Sequence, residues 1–349
     1  MTDNLGSLAP IALFAFNRPQ HLEKCLSSLL QNAESSGTRL YCFLDGPRNQ
    51  SDIRPVEQAR QIARSVSGFL DVRILERGRN KGLSRNVIDG VSRVLEKHKR
   101  VIVVEDDLVV SPAFLRYMNE ALSFYAPAPG VFSVSGYNYP QKVLRIPGGY
   151  PYDAFFVQRH MCWGWGTWRD RWERADWNVQ NYDSLSRNQS WRRSFEEGGV
   201  DLPGMLDAQV HGQLDSWAIR WTYAHFVNHG VCLVPVESLV NNMGVDGSGV
   251  HMKASRRYLH PSLSRKGELA LPPLIYIDPL IARAYKTASR ANIFFRAAGK
   301  MATVIRTGRQ QLSARRLSLE RQPDGHPYSL RELIGHPAGL PQENGLQPP

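Results

Sequence analysis

Cysteine is scarce: Cys25, Cys42, Cys162 and Cys232 are the only four in 349 residues, widely spaced and without a C-x-x-C pair. That argues against a disulfide framework and against a structural zinc site. No stretch reaches the roughly 18–20 apolar residues of a membrane span. The first residues, Met1 to Gly6, hold neither a basic segment nor a long apolar one. No signal peptide is therefore expected, and the expected location is the cytoplasm. No G-x-G-x-x-G follows the first apolar run, which argues against a dinucleotide site. No G-x-x-x-x-G-K-[S/T] occurs, which excludes a P-loop. No internal repeat is found.

What is present is enough apolar matter for a sizeable core, 42% of the residues, and a net charge of +11. The charge is uneven. Between Ile281 and Glu320 lie Arg283, Lys286, Arg290, Arg296, Lys300, Arg306, Arg309, Arg315 and Arg316, against one acid, Glu320. The excess therefore bears on what this segment touches and says little about the rest. No nucleic-acid partner is expected.

The chain is organised around Val101-Ile-Val-Val-Glu105-Asp106-Asp107-Leu-Val-Val110. The apolar run predicts a buried strand in the middle of a parallel sheet. Three consecutive carboxylates then stand at its end, and burying them without a counter-ion costs several kcal/mol or more. A divalent cation in a crevice at the strand end relieves that cost, and open α/β sheets bind their ligands there. The alternative is a solvated acidic turn. Ser111-Pro112, as an N-cap and first-turn proline, and the helical spacing of Phe114, Leu115, Met118, Leu122 and Tyr125 favour a site.

Upstream, Ile11–Phe16, Leu40–Leu44 and Val72–Leu75 read as strands. Helical stripes lie between them: Leu22, Cys25, Leu26, Leu29 and Leu30, then Val56, Ala59, Ile62, Ala63 and Val66. Ser84 is expected to cap a helix carrying Val87, Val91, Val94 and Leu95. This alternation predicts an α/β sandwich around a mainly parallel sheet. Arg18 follows the first strand, Asp45 the second, and Glu105-Asp106-Asp107 the fourth. A basic residue, an isolated carboxylate and an acidic cluster converging on one crevice suit a nucleotide with a diphosphate.

Downstream, Val131–Ser135, Phe155–Val157 and Val231–Val236 read as further strands, the last on a sheet edge. Between them runs Cys162-Trp-Gly-Trp165-Gly-Thr-Trp168-Arg-Asp-Arg-Trp172. These tryptophans read either as core or as flat faces on which sugar rings stack. Asp215 reads as a helix N-cap or as a functional carboxylate. Gly244–His251, with Gly247 and Gly249, is a flexible loop ending in a candidate ligand for a metal or phosphate, His251. Pro272-Pro273 and Pro279 mark a boundary. Beyond them, 271–321 reads as a basic amphipathic helical extension, lying on an anionic membrane surface through 281–316 or packing on a partner. Residues 322–349 have a disordered composition.

These motifs resemble those of GT-A glycosyltransferases, of the bacterial family-2 kind and similar to the N-acetylglucosaminyltransferase I type, from about Ile11 to His251. The resemblance implies a GT-A domain over 1–270, with a nucleotide-binding half at about 8–130 and an acceptor half at about 131–270. It implies an inverting transfer from a nucleotide-sugar, a UDP-sugar by expectation, to a saccharide hydroxyl, in cell-surface polysaccharide or lipopolysaccharide synthesis. By the same resemblance Asp107 ligates Mn²⁺ or Mg²⁺, and Glu105 and Asp106 approach the donor sugar and its ribose. Arg18 and Asp45 hold the nucleotide, and Trp165 lies near the donor sugar. Tyr137 and Asn138 border the acceptor groove, Asp215 is the catalytic base, and the Gly244–His251 loop closes over the donor. Two other functions compete with this one. A sugar-phosphate nucleotidyltransferase needs a basic, glycine-rich loop that Phe16-Asn17-Arg18-Pro19 does not provide. A non-catalytic carbohydrate-binding protein has no use for the acidic cluster.

Overall fold

A computed structural model describes residues 8–246, 256–260 and 262–289. Contacts divide the chain into Met1–Ile293 and Phe294–Pro349, and the described residues all lie in the first unit.

The first half alternates as the spacing predicts. In order come β1 (Ile11–Ala15), α1 (Pro19–Leu30), β2 (Arg39–Leu44), α2 (Gln50–Ser65), β3 (Asp71–Glu76), α3 (Leu83–Leu95) and β4 (Arg100–Glu105). Residues of β1 and β4 are apolar on both faces because helices cover both. Ile11, Leu13, Ala15, Ile102 and Val104 face one core with α1, α2 and the later α4 (Phe114–Phe124). Ala12, Phe14, Val101 and Val103 face a second core with α3 and α9 (Trp217–Val227).

The second half adds β5 (Leu108–Val110), β6 (Val131–Ser135), β7 (Ala154–Val157) and β8 (Trp165–Trp168). The short helices α5 (Arg169–Trp172), α6 (Tyr182–Ser186), α7 (Gln189–Phe195) and α8 (Leu202–Val210) follow, and β9 (Val231–Pro235) and β10 (Val240–Asn242) come after α9. The main sheet runs β3-β2-β1-β4-β8-β6-β9-β7. Strands β3, β2, β1 and β4 are mutually parallel, and β8 runs against both β4 and β6. The chain winds outward from β1 to β3, then crosses back to place β4 on the other side of β1. The C-terminal ends of β1 and β4 therefore flank the switch point where such sheets open a crevice.

Several expectations are corrected. The ten-residue acidic strand is two strands: it breaks at Asp106-Asp107, and β5 joins β10 in a separate antiparallel pair. Helix α4 starts at Phe114 with Ala113 as cap; Ser111 instead caps the preceding turn, its Oγ accepting from the Ala113 N–H at 3.1 Å. Gly82, with φ of 81°, caps α3, and Ser84 lies inside it. The edge strand is β7 and not β9. The prolines at 272–279 do not end the body: over helical residues 279–289, Ile281, Tyr285 and Ala288 are buried in the first core. Their i, i+4, i+7 spacing makes one apolar stripe, and the stripe docks. The rest of the basic extension, and 322–349, lie outside the described residues.

Candidate active site

The acidic cluster sits at the switch point between β1 and β4. Backbone pairing continues past the strands: Phe14 faces Glu105, and the Asp106 N–H donates to the Phe14 carbonyl at 2.9 Å. Arg18, one residue before α1, spans the two carboxylates that follow. One of its amino groups bonds Asp106 Oδ1, and Nη1 donates to Asp107 Oδ2 at 3.0 Å. Asp106 Oδ2 accepts from the Phe16 N–H at 3.2 Å. Asp107 Oδ1 is buried and has no hydrogen-bond partner among the described residues.

One guanidinium thus faces three carboxylates. Burial, then the charges of Asp107 and Asp106, push the Glu105 carboxyl well above the ordinary range. Burial also pushes Asp106 up, with Arg18 working against it. Burial disfavours the Arg18 charge, but the two aspartates outweigh it and hold the guanidinium protonated.

A turn after β10 closes on this cluster. The Met243 N–H donates to the Asp107 carbonyl at 2.7 Å, and the Gly244 N–H donates to Asn242 Oδ1 at 2.7 Å. A Cβ on Gly244 would stand 2.3 Å from Asp107 Oδ2, so no larger residue fits without moving the carboxylate. Gly244 was expected to open the Gly244–His251 loop; its contact with Asp107 leaves no trace in the sequence because the partner is 137 residues away.

The other expected residues have hydrogen-bond partners outside the acidic cluster. Asp45 is buried and spent on backbone: Oδ1 accepts from the Gly46 and Lys81 N–H groups at 2.9 and 2.8 Å, and Oδ2 from Gly82 at 3.0 Å. It fixes the 77–82 turn beside the crevice. Asp215 is exposed and does not cap α9; Ser216 does, accepting from the Ile219 N–H. Asp215 Oδ1 pairs with Arg220 at 3.1 Å, and Arg220 also reaches Ser84 in the first turn of α3. Tyr137 and Asn138 are buried. Tyr137 donates to the Tyr258 carbonyl at 3.2 Å, and the Asn138 amide donates to the Val236 carbonyl at 2.9 Å.

Trp165 does not reach the crevice. It is 0% exposed and stacks on Trp217 and Trp172 at 5.1 and 5.9 Å, with Trp221 and His160 completing the cluster. Ser133 Oγ links His160 and His225 at 3.0 and 2.8 Å, and burial holds both imidazoles neutral, His225 down to about 3. Gly247, Gly249 and His251 lie outside the described residues.

The donor set fits a hard divalent cation. Mg²⁺ and Mn²⁺ take oxygen ligands, and Mg²⁺ commonly binds through one or two carboxylates plus substrate phosphates. Asp107 offers the buried oxygen without a partner. Among the described residues no group of three or more acid, histidine or cysteine side chains is arranged to hold a metal by itself.

The sequence matches glycosyl transferase family 2 over residues 11–181. No curated protein matches the chain. Among solved structures it is similar to the mannosyltransferase PcManGT from Pyrobaculum calidifontis in complex with GDP-Man and Mn²⁺, at 12% identity and a TM-score of 0.36, over 65% of this chain and 77% of that one. It is also similar to an active-site mutant of LgtC, at 10% identity and a TM-score of 0.34, over 62% and 70%. Neither overlap is close enough to bear on donor or acceptor.

Proposed function

We propose that this chain, a glycosyltransferase by its match to glycosyl transferase family 2 over residues 11–181, is metal-dependent and inverting and moves a sugar from a nucleotide-sugar, a UDP-sugar by preference, to a hydroxyl of a saccharide. The observation that carries this reading is the unpartnered Asp107 oxygen beside Arg18 at the β1–β4 switch point.

Asp107 would hold the cation, with Arg18 as a fixed second positive charge for the diphosphate. When bound, the cation neutralises charge on the leaving diphosphate as a Lewis acid. Asp45 keeps the 77–82 turn in place beside the nucleotide. The acceptor oxygen attacks the anomeric carbon as the bond from that carbon to the phosphate oxygen breaks. Asp215 takes the hydroxyl proton. Its exposed carboxylate leaves room for an acceptor, and Arg220 orients it. A surface polysaccharide or lipopolysaccharide chain is the acceptor class this reading favours.

The test compares wild type with Asp215→Asn in the presence of Mn²⁺ and a panel of nucleotide sugars. The variant should keep the donor-induced rise in Tm and lose transfer by about 10²–10⁴-fold. Unchanged transfer would remove Asp215 from the mechanism.

No helix among the described residues is long and apolar enough to cross a membrane. We propose that the basic residues after Ser289 hold the enzyme peripherally on an anionic membrane. Because Ile281 and Tyr285 belong to the core, the informative truncation begins after Ser289 and not at Pro279. It should reduce flotation with phosphatidylserine vesicles; equal flotation would sink the assignment.

A further inference from the structure

The tryptophans buried behind β8 leave one other aromatic group at the sheet end. Trp163 is half-buried, and its ring meets Tyr137 at 4.4 Å and Tyr258 at 6.5 Å. Tyr139, also half-buried, meets Tyr258 at 6.0 Å and Tyr137 at 6.0 Å. Strand register says where this group stands. Along β4 and β8, Arg100 faces Trp168 and Val103 faces Trp165. Because β8 runs against β4, the start of β8 at Trp165 lies towards the Glu105 end of β4, and Gly164, with φ of 63°, turns the chain there just after Trp163. On the other side Ser135 faces Trp165, and the Gly136 N–H donates to the Gly164 carbonyl at 2.6 Å, which brings Tyr137 to Trp163. Neighbouring strands lie about 5 Å apart, roughly the width of a pyranose ring.

The chemistry is that of a sugar platform. An indole face takes the apolar C–H face of a pyranose, and N–H and O–H groups at its rim take hydroxyls. Trp168 and Trp172 spend their indole N–H groups on Leu122 and Ser92. Among the described residues the Trp163 N–H and the Tyr139 hydroxyl make no hydrogen bond.

We propose that Trp163, Tyr139 and Tyr258 form the acceptor subsite, a stacking platform for one pyranose ring, one strand over from Glu105. This rests on the glycosyltransferase reading and deepens it. It also gives the turn after β10 and the 256–258 turn related places: Gly244 stands against Asp107, and Tyr258 stands against Trp163.

The test uses the full chain with Mn²⁺ and UDP or GDP, and methyl glycosides of glucose, galactose, mannose and N-acetylglucosamine as probes. Saturation-transfer NMR reads glycoside binding, and thermal shift reads nucleotide binding. Trp163→Ala and Tyr258→Ala should each weaken glycoside binding by roughly tenfold and leave the nucleotide shift unchanged. Tyr258 lies outside the sheets, and the Tyr137 hydroxyl bonds its backbone carbonyl, so Tyr258→Ala remains informative if Trp163→Ala fails to fold. Equal glycoside signals in wild type and Tyr258→Ala would overturn the platform. A Mn²⁺-dependent nucleotide shift with no glycoside signal would overturn it too, while leaving donor binding intact. Glycoside binding lost in the variants, with no nucleotide shift in wild type, would support the platform and sink the transferase reading instead.

Discussion

The acidic turn and the tryptophan cluster stand on paired strands, β4 and β8, and have opposite fates. Glu105, Asp106 and Asp107 leave the end of β4 and enter the crevice with one arginine among three acids. Trp165, the first residue of β8, pairs with Val103 and turns its ring into a core with Trp172, Trp217 and Trp221. Both stretches carry residues that bind ligands. Where the side chain leaves the sheet, and not residue type alone, separates the two. The carboxylates at and past the end of β4 stand at the switch point, whereas the Trp165 indole lies among the residues of α3 and α9.

The largest contrast is in activity. Asp107→Ala should cost about 10³-fold in transfer, since a Lewis acid supplies several kcal/mol of charge stabilisation, with little change in Tm. Transfer assays and thermal melts on the same preparation check both halves. Trp165→Ala should do the reverse, costing about 3–5 kcal/mol of stability by cavity formation, read by urea denaturation. A destabilised Asp107→Ala, or a fully stable Trp165→Ala, would erase the distinction between the two regions.

Gly244→Ala lies between them. The added methyl must displace Asp107 or the turn, because it would stand 2.3 Å from Asp107 Oδ2 and 3.0 Å from Asn242 Oδ1. Mn²⁺ affinity should fall by roughly tenfold, of the order seen when a metal ligand's support is removed, while the melting curve keeps its shape. Unchanged affinity would show that the turn does not position Asp107.

The smallest effect is in pH. Glu105 and Asp106 have folded-state values raised above their unfolded ones. In the window between the ordinary carboxylate range and the raised values, the folded state binds more protons than the unfolded one. Stability of the metal-free protein therefore falls as pH rises through that window. A cation that needs the ionised carboxylates should add more to Tm at about pH 8 than at about pH 5. A metal-induced shift that is flat over this range would contradict it. The His160–Ser133–His225 network contributes nothing there, since both imidazoles are neutral throughout.

The first half of the fold was legible because each strand and helix announces its own period, and loops at the C-terminal ends of β1, β2 and β4 must converge. Arg18 and the acidic triplet were readable on that ground. The break at Asp106-Asp107 was not, because Leu108–Val110 continues the apolar run and only pairing with β10 shows that the strand has changed sheets. Trp165 was misplaced for a related reason: the Trp-Gly-Trp spacing does not say that β8 begins at Trp165, buries that indole and leaves Trp163 outside the strand. Asp215 read either as a cap or as a functional carboxylate because it precedes a helix; Ser216 takes the cap, and the Asp215 carboxylate pairs with Arg220. Long-range contacts such as Gly244 on Asp107 leave no periodic trace.

One titration bears on the whole scheme: Mn²⁺ binding to wild type and to Asp107→Ala, followed by electron paramagnetic resonance with UDP and with GDP present. Wild type should bind Mn²⁺ together with a nucleoside diphosphate and Asp107→Ala should not. Equal binding by both proteins would place the cation elsewhere and remove the acidic turn from the centre of the site.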